Sequence, residues 1–391
     1  MDKNTKLIIL GLTIVVIAAF VLYPLLPRRI GSNSDSKGIR IVRDSVDLYV
    51  YYVRSRWVPE QQMPYRDTFI EYPQLAMLYM AWPMLFVNNF DSYEVLIVIT
   101  NILAFGVLIL ISRKLLLALY RSTKILWLLA LPSIIYFTLY RFDVWPALAV
   151  TASLYCVFKK KNAWALLLLA SAIFFKWYAV ILIPLYWHWL RQNEAKPGET
   201  KKLFIALILI GAITLSIMYV LFEDGFINTY RQHLLARVFE PASIFYLIKG
   251  EDFIIDGIRN TVLLLQIALT LVWLGIGKYL RKKWSDFDSL IGWSAVLIMI
   301  FIFFAKFYSP QWLIWYVPLL LLLPLSHRLI WAIVLNDILN YAYFPILFDS
   351  AGSASIITLS LVVIRTIVFA YLIYLVARWL LRKRINPQLS I

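Results

Sequence analysis

Apolar runs of roughly 12–21 residues recur along this chain, and the longer ones match the hydrocarbon core of a bilayer as helices. Short loops rich in Lys and Arg separate them. The alternation of apolar and polar positions over about ten residues that marks a membrane β-strand is absent from the pattern. The pattern therefore predicts an all-α polytopic membrane protein. The runs fall at 7–23, 95–111, 125–138, 144–158, 163–174, 178–190, 203–222, 258–276, 290–304, 312–325, 329–344 and 356–376, a bundle of about twelve transmembrane helices. The shorter runs need flanking aromatics to reach both interfaces. The whole chain, 1–391, reads as a single transmembrane domain.

The polar positions set the expected topology. Lys3 and Lys6 precede the first run, which places the N-terminus in the cytoplasm by the positive-inside trend. That run has the length of a span and no small-residue cleavage site, so it reads as a signal anchor. The segment 26–90 is then a first outer loop, and within it 46–57 reads as an amphipathic aromatic helix at the interface. The run 73–86 is short for a span and is interrupted by Pro83. Read as a juxtamembrane or re-entrant helix on the outer face, it leaves Arg113, Lys114, Arg121, Lys124 and every later basic cluster inside, the C-terminus included. A second outer loop spans 223–257. The expected location is the plasma membrane, with the polar site on its outer face. No sharp internal repeat is visible, which weighs against an inverted-repeat transporter.

Composition narrows the function classes. Of 391 residues, 62% are hydrophobic and 15% charged, too apolar a balance for a soluble domain of this size. The net charge of +16 sits mostly in short loops that flank apolar runs, so it serves topology and not nucleic-acid binding. Cys156 is the one cysteine, and His188, His233 and His327 lie far apart with no metal-ligand spacing. No cofactor is expected. A divalent ion held by Asp44 and Asp47 stays open on oxygen chemistry alone.

The most polar long stretch is 43–75, where Asp44, Asp47, Asp67 and Glu71 interleave with Arg43, Arg54, Arg56 and Arg66. With the expected topology, it shares a face with Arg141, Asp143, Lys176, Arg231, His233, Arg237, Lys306, Ser309 and Gln311. Acids for proton transfer beside cations for a phosphate, over an apolar wall, suit a lipid-phosphate substrate whose tail lies in the bilayer. Each residue also has a plainer role. Asp47 can cap its helix or pair with Arg43 or Arg54, and Arg141 with Asp143 can form a local ion pair. Lys176 and Lys306 each end a span and can snorkel. Ser309-Pro310-Gln311 can break one helix and start the next. Within apolar runs, Asp337 and Arg365 are expected to neutralise each other as a buried pair.

Five motifs carry a family resemblance: Asp47-Leu48-Tyr49-Val50-Tyr51; Pro64-Tyr65-Arg66-Asp67 followed by Glu71-Tyr72-Pro73-Gln74-Leu75; Arg141-Phe142-Asp143; Lys176-Trp177-Tyr178; and the run KFYSPQWL from Lys306 to Leu313. In order and placement they resemble the GT-C superfamily of glycosyltransferases, in particular the polyprenyl-phosphate-mannose-dependent mannosyltransferases. Gln74 stands where family members often have a second proline. The resemblance implies an inverting transfer of a monosaccharide such as mannose from a polyprenyl-phosphate donor to a lipid or glycan acceptor. It maps the catalytic base to Asp47, with Asp44 as the alternative. Arg66, Arg141, Lys176 and Lys306 are candidates for the donor phosphate, and Glu71, Asp143, His233 and Gln311 for the rest of the substrate. Two other classes fit the composition. One is a transporter or lipid flippase, which needs a polar path through the bilayer. The other is an O-antigen-type polymerase or ligase using Arg231, His233 and Arg237.

Overall fold

The computed structural model describes residues 11, 14, 45–231, 240–249, 256–280, 286–348 and 355–383. The signal-anchor run 7–23 lies outside this set apart from its two isolated members. Among the described residues every element is helical, and the sole β contact is an isolated bridge between Pro64 and Thr68. The elements used below are α1 (Val46–Arg54), α2 (Gln74–Ala81), α3 (Phe90–Ala118), α4 (Pro132–Tyr140), α5 (Val144–Phe158), α6 (Asn162–Phe175) and α7 (Ile183–Gln192). They continue with α8 (Glu199–Arg231), α9 (Ile244–Lys249), α10 (Asp256–Leu280), α11 (Phe287–Phe303), α12 (Leu313–Leu321), α13 (His327–Tyr341) and α14 (Ile356–Arg382).

Helix starts follow local chemistry. Asn89, Asp286, Ser326 and Ser355 each precede a long helix, and the side chain of each accepts a backbone N–H of the first turn. Pro132 opens α4, where its missing N–H costs nothing, and Leu131 before it is extended. That junction bends the 3-10 segment Thr123–Ala130 against α4 by 66°.

Among the described residues, four helices are long and apolar enough to cross a membrane, or five if the bent pair through Pro132 is one span. The expected total of about twelve spans is not shown by this count. Val144–Phe158 and Asn162–Phe175 form helices over the runs expected at 144–158 and 163–174, but they are shorter than a full span, and the run 125–138 is bent at Pro132. Segment 73–86 is the short α2 plus a 3-10 turn at Trp82–Leu85, as its length and Pro83 predict. The interfacial helix expected over 46–57 stops at Arg54 and continues as turns. The start expected for the second outer loop, 223, falls within a helix. Helix α8 runs through position 223 to Arg231, broken only by the non-helical backbone of Glu223 (φ 48, ψ −135). Much of α8 presents bare apolar side chains, among them Ile208, Leu209, Ile213, Ile217 and Val220. A contiguous apolar surface on this scale belongs against lipid or another protein.

The chain shuttles between two ends of the helical body. At one end Arg121 pairs with Asp288 (2.6 Å) and donates to the carbonyl of Leu322. Lys383 reaches Asp286 and Asp288 there, and Phe158 and Trp189 pack on Phe287. At the other end, Tyr65 packs on Phe222 and Phe226, Gln74 donates to the Tyr230 hydroxyl, and Tyr230 stacks on Trp177. Between these ends lies a continuous core containing Phe137, Phe142, Trp293 and Tyr316.

Candidate functional site

Two ion pairs built on one short turn form the centre of the site. The turn is Arg141-Phe142-Asp143, between α4 and α5. Arg141 Nε lies 2.6 Å from Asp47 Oδ2, and Lys176 Nζ lies 2.7 Å from Asp143 Oδ1. Adjacent members of one motif thus turn to different segments, and the local Arg141–Asp143 pair expected from the sequence does not form. Asp47 likewise bypasses Arg54, which donates to the Phe69 carbonyl and covers that ring.

The elements explain the placement. Asp47 sits in the first turn of α1, whose buried Leu48 and Tyr51 fix the helix on the body. Arg141 is extended at the end of α4, and its carbonyl accepts from Asn101 Nδ2 (3.1 Å). Asn101 also donates to the Leu139 carbonyl and accepts from Tyr79 Oη and Trp145 Nε1, so one buried amide holds the turn in place. Lys176 is extended where α6 ends, and its ammonium lies over the rings of Phe142 and Trp315.

Exposure divides the four charges. The Asp47 side chain is 37% exposed, whereas Arg141 behind it is 6% exposed. Asp143 is 1% exposed and Lys176 20%. The site therefore has one open carboxylate, one partly open ammonium, and a buried counter-charge behind each. Asp143 Oδ1 also accepts from Trp315 Nε1 (2.8 Å), while its Oδ2 has no partner. Trp315 stacks face to face on Tyr178, with centroids 3.9 Å apart. Beneath Asp47, Tyr51 and Tyr72 meet edge to face, and both pack on Phe142. Burial pushes both phenols well above their ordinary range, with Asp47 adding to each shift and Arg141 opposing it. Both remain O–H donors at neutral pH.

Other expected residues divide. Lys306 is buried (4% exposed) in the segment before α12, so it does not snorkel outward as the end of a span can. Gln311 is half-buried in the 3-10 turn Pro310–Trp312, which links to the centre because Trp312 stacks on Trp315. Glu71 is half-buried beside Tyr72. Arg66 does not join the cluster: it pairs on the surface with its neighbour Asp67, whose other bond comes from the Met63 N–H. Arg66 and that N–H together hold the Asp67 carboxyl below its usual range. Asp44 and His233 lie outside the described residues, as does Arg237.

The expected Asp337–Arg365 pair is also absent. Asp337 accepts the N–H groups of Ser133 and Ile134, in the buried first turn of α4. Arg365 donates to the Ala242 carbonyl and lies 3.6 Å from the centre of the Tyr308 ring. Helix-start amides satisfy the acid, and the cation rests on an aromatic face and one carbonyl, so the two do not pair. Sequence reasoning missed Asn101, Trp315 and the fully buried Glu94, which accepts from Ser45 Oγ at the start of α1. Asn101 and Glu94 carried a signal as polar groups at or in an apolar run. Trp315 carried none.

No protein-family model matches this chain, and searches of curated proteins and of solved structures return no match either.

Proposed function

We propose that this chain is an inverting membrane glycosyltransferase of the GT-C kind. In this reading a bundle of about twelve spans, several of them short or broken, encloses a site on the outer face of the plasma membrane. The donor is a polyprenyl-phosphate monosaccharide such as mannose, and the acceptor is a lipid or glycan hydroxyl. The observation that carries the reading is the paired geometry at the Arg141-Phe142-Asp143 turn: an open carboxylate on one side and a partly open ammonium on the other, at the rim of an apolar helical body.

The chemistry assigns a role to each group. Asp47 takes the proton from the acceptor hydroxyl as the oxygen bonds to the anomeric carbon. The bond from that carbon to the phosphate oxygen breaks, and its electrons leave on the phosphate. Lys176 and Arg141, with Lys306 as a further candidate, offset the growing negative charge. The buried Asp143 holds Lys176 in place, and the open Asp47 does the same for Arg141. Tyr51 and Tyr72 shape the floor under the acceptor.

Asp47→Asn tests the assignment. With purified protein and a short-chain polyprenyl-phosphate mannose, release of polyprenyl phosphate is expected to fall by about 10²–10⁴-fold while donor binding is kept, the range for losing a general base. Unchanged turnover in Asp47→Asn removes Asp47 as the base. Wild-type protein that binds and turns over none of several polyprenyl-phosphate sugars overturns the glycosyltransferase reading.

A further inference from the structure

The proposed transfer uses one end of the helical body. Toward the other end a groove of about 560 Å³ runs between α10 and α14. Both helices pack on α11, whose buried Trp293 backs Trp273 of α10. Ala370, Ile373, Ala377 and Leu381 recur at intervals of three and four, so one stripe of α14 faces the groove. The two alanines, two turns apart, leave the space opposite Trp273 that larger side chains would fill.

One end of the groove is charged. Arg378 and Arg382 line it in the last two turns of α14. Arg378 Nη1 donates to the Tyr374 hydroxyl (2.7 Å), which holds that cation at the groove wall. Neither arginine meets a carboxylate among the described residues. The nearby acids are committed elsewhere: Asp288 takes Arg121 and Lys383, and Asp286 takes Lys383. At ~1.5 Å per residue, Arg378 and Arg382 lie about 33 and 39 Å along α14 from Ile356. The hydrocarbon core is ~30 Å thick, so these cations stand at headgroup depth, with Ala370 and Ile373 inside the core.

The same polarity repeats beside it. A second groove, of about 450 Å³, flanks the other side of α14 against α13. Its basic residues, His327 and Arg328, lie at the same end, and Trp331 and Leu335 line its apolar part. Tyr371 of this groove stacks on Tyr374 of the first (6.3 Å). Two separate grooves of one polarity suit a ligand present in many copies with a fixed orientation, as in a lipid leaflet. A second copy of this chain suits them poorly, because like arginines would meet.

We propose that the groove between α10 and α14 binds an anionic glycerophospholipid. The phosphate sits on Arg378 and Arg382, whose planar donors match its oxygens. One acyl chain lies along Ala370, Ile373 and Ala377, against Trp273. The site stands apart from the Arg141-Phe142-Asp143 turn and does not rest on the transfer reading.

Trp273 makes the site measurable. The full chain in neutral detergent micelles is titrated with phosphatidylglycerol brominated in mid-chain, and with brominated phosphatidylcholine as the zwitterionic control. Bromine quenches nearby tryptophan, and the difference between wild type and Trp273→Phe isolates this groove from the other tryptophans. Half-quenching of Trp273 is expected at a mole fraction at least ~10-fold lower for phosphatidylglycerol, given about 5-fold for each arginine at a membrane surface. The double variant Arg378→Gln, Arg382→Gln is expected to reduce that preference to about 2-fold or less. The same charge change at Lys160 and Lys161, exposed at the same end but outside the groove, is expected to leave the preference intact. If the double arginine variant does not fold, Arg382→Gln decides, since that side chain is exposed; a loss of about 3-fold or more is expected. Equal quenching by the two lipids overturns the proposal. So does a preference that survives the arginine variants, or one that falls equally with Lys160→Gln and Lys161→Gln. Quenching unchanged in Trp273→Phe overturns it as well. A dimer in light scattering that shields Trp273 from both lipids assigns the groove to a second copy, and overturns the lipid. No step needs a sugar donor, so this test and the transfer assay fail independently.

Discussion

Replacing Lys176 by methionine is expected to destabilise the fold more than replacing its partner Asp143 by asparagine. The asymmetry comes from burial. The Asp143 side chain is 1% exposed, and its carboxylate is held by Lys176 Nζ at 2.7 Å and Trp315 Nε1 at 2.8 Å. Lys176→Met keeps the aliphatic packing on Phe142 and Trp315 but strands a buried anion on one neutral donor. Stranding one member of a buried pair costs about 3–5 kcal/mol, and because Lys176 is 20% exposed the lower end, about 3 kcal/mol, is expected here. Asp143→Asn still offers an oxygen to both donors, and the ammonium can turn to water, so about 1 kcal/mol is expected. The double variant has no charge to strand. Its cost is expected near that of Asp143→Asn alone, giving a coupling of about 2–3 kcal/mol in the cycle. Unfolding in mixed micelles with rising denaturing detergent, followed by tryptophan fluorescence, measures all three. Lys176→Met within about 0.5 kcal/mol of wild type, or Asp143→Asn as the costlier change, refutes the buried pair on which the site is built.

Two further outcomes follow from the packing. A methyl group added at Gly225 lands 2.3 Å from the Tyr65 carbonyl oxygen and 2.9 Å from its carbon, backbone atoms that cannot swing aside. Gly225→Ala is therefore expected to cost about 1–3 kcal/mol and to open the contact between α8 and the first loop to limited proteolysis. Gly211→Ala, on the same helix with open space around it, is expected to be neutral or slightly stabilising, and equal losses at both positions refute the close approach. Asp337→Leu leaves the amides of Ser133 and Ile134 without acceptors inside the body, for an expected loss of about 2–4 kcal/mol. Its coupling to Arg365→Gln is expected below about 0.5 kcal/mol, and coupling above about 1 kcal/mol restores the ion pair that the structure lacks.

The sequence carried the site further than it carried the fold. Charged and aromatic groups in an apolar chain are few, so the motifs at Asp47, Arg141, Asp143 and Lys176 stood out against their background, and these four do converge. What it could not supply was pairing. Local spacing offers Arg54 to Asp47 and Asp143 to Arg141, but the backbone is extended at Arg141 and already helical at Asp143, so the turn between α4 and α5 sends the two side chains to different segments. Span lengths were not legible for a related reason. Mean hydropathy over a run does not register Leu131-Pro132, where the backbone bends by 66° with no loss of apolar character. The break at Glu223 was invisible as well, since nothing in its composition announces a positive φ.

Arg365 shows how the usual rule for intramembrane charge can mislead. A cation and an acid in neighbouring apolar runs invite an ion pair, because hydrocarbon offers a charge no other relief. Here the body offers two other kinds. The start of α4 gives Asp337 two amide donors, worth as much to a carboxylate as a distant cation. Tyr308 gives Arg365 a π face but no oxygen for its remaining N–H groups. The acid is thus satisfied on both oxygens, whereas the cation is only cushioned. That difference separates the two residues: Asp337 completes a helix and its loss is a loss of stability. Arg365 keeps Nε and Nη1 without hydrogen bonds, so its replacement by a neutral side chain is expected to cost little stability or none.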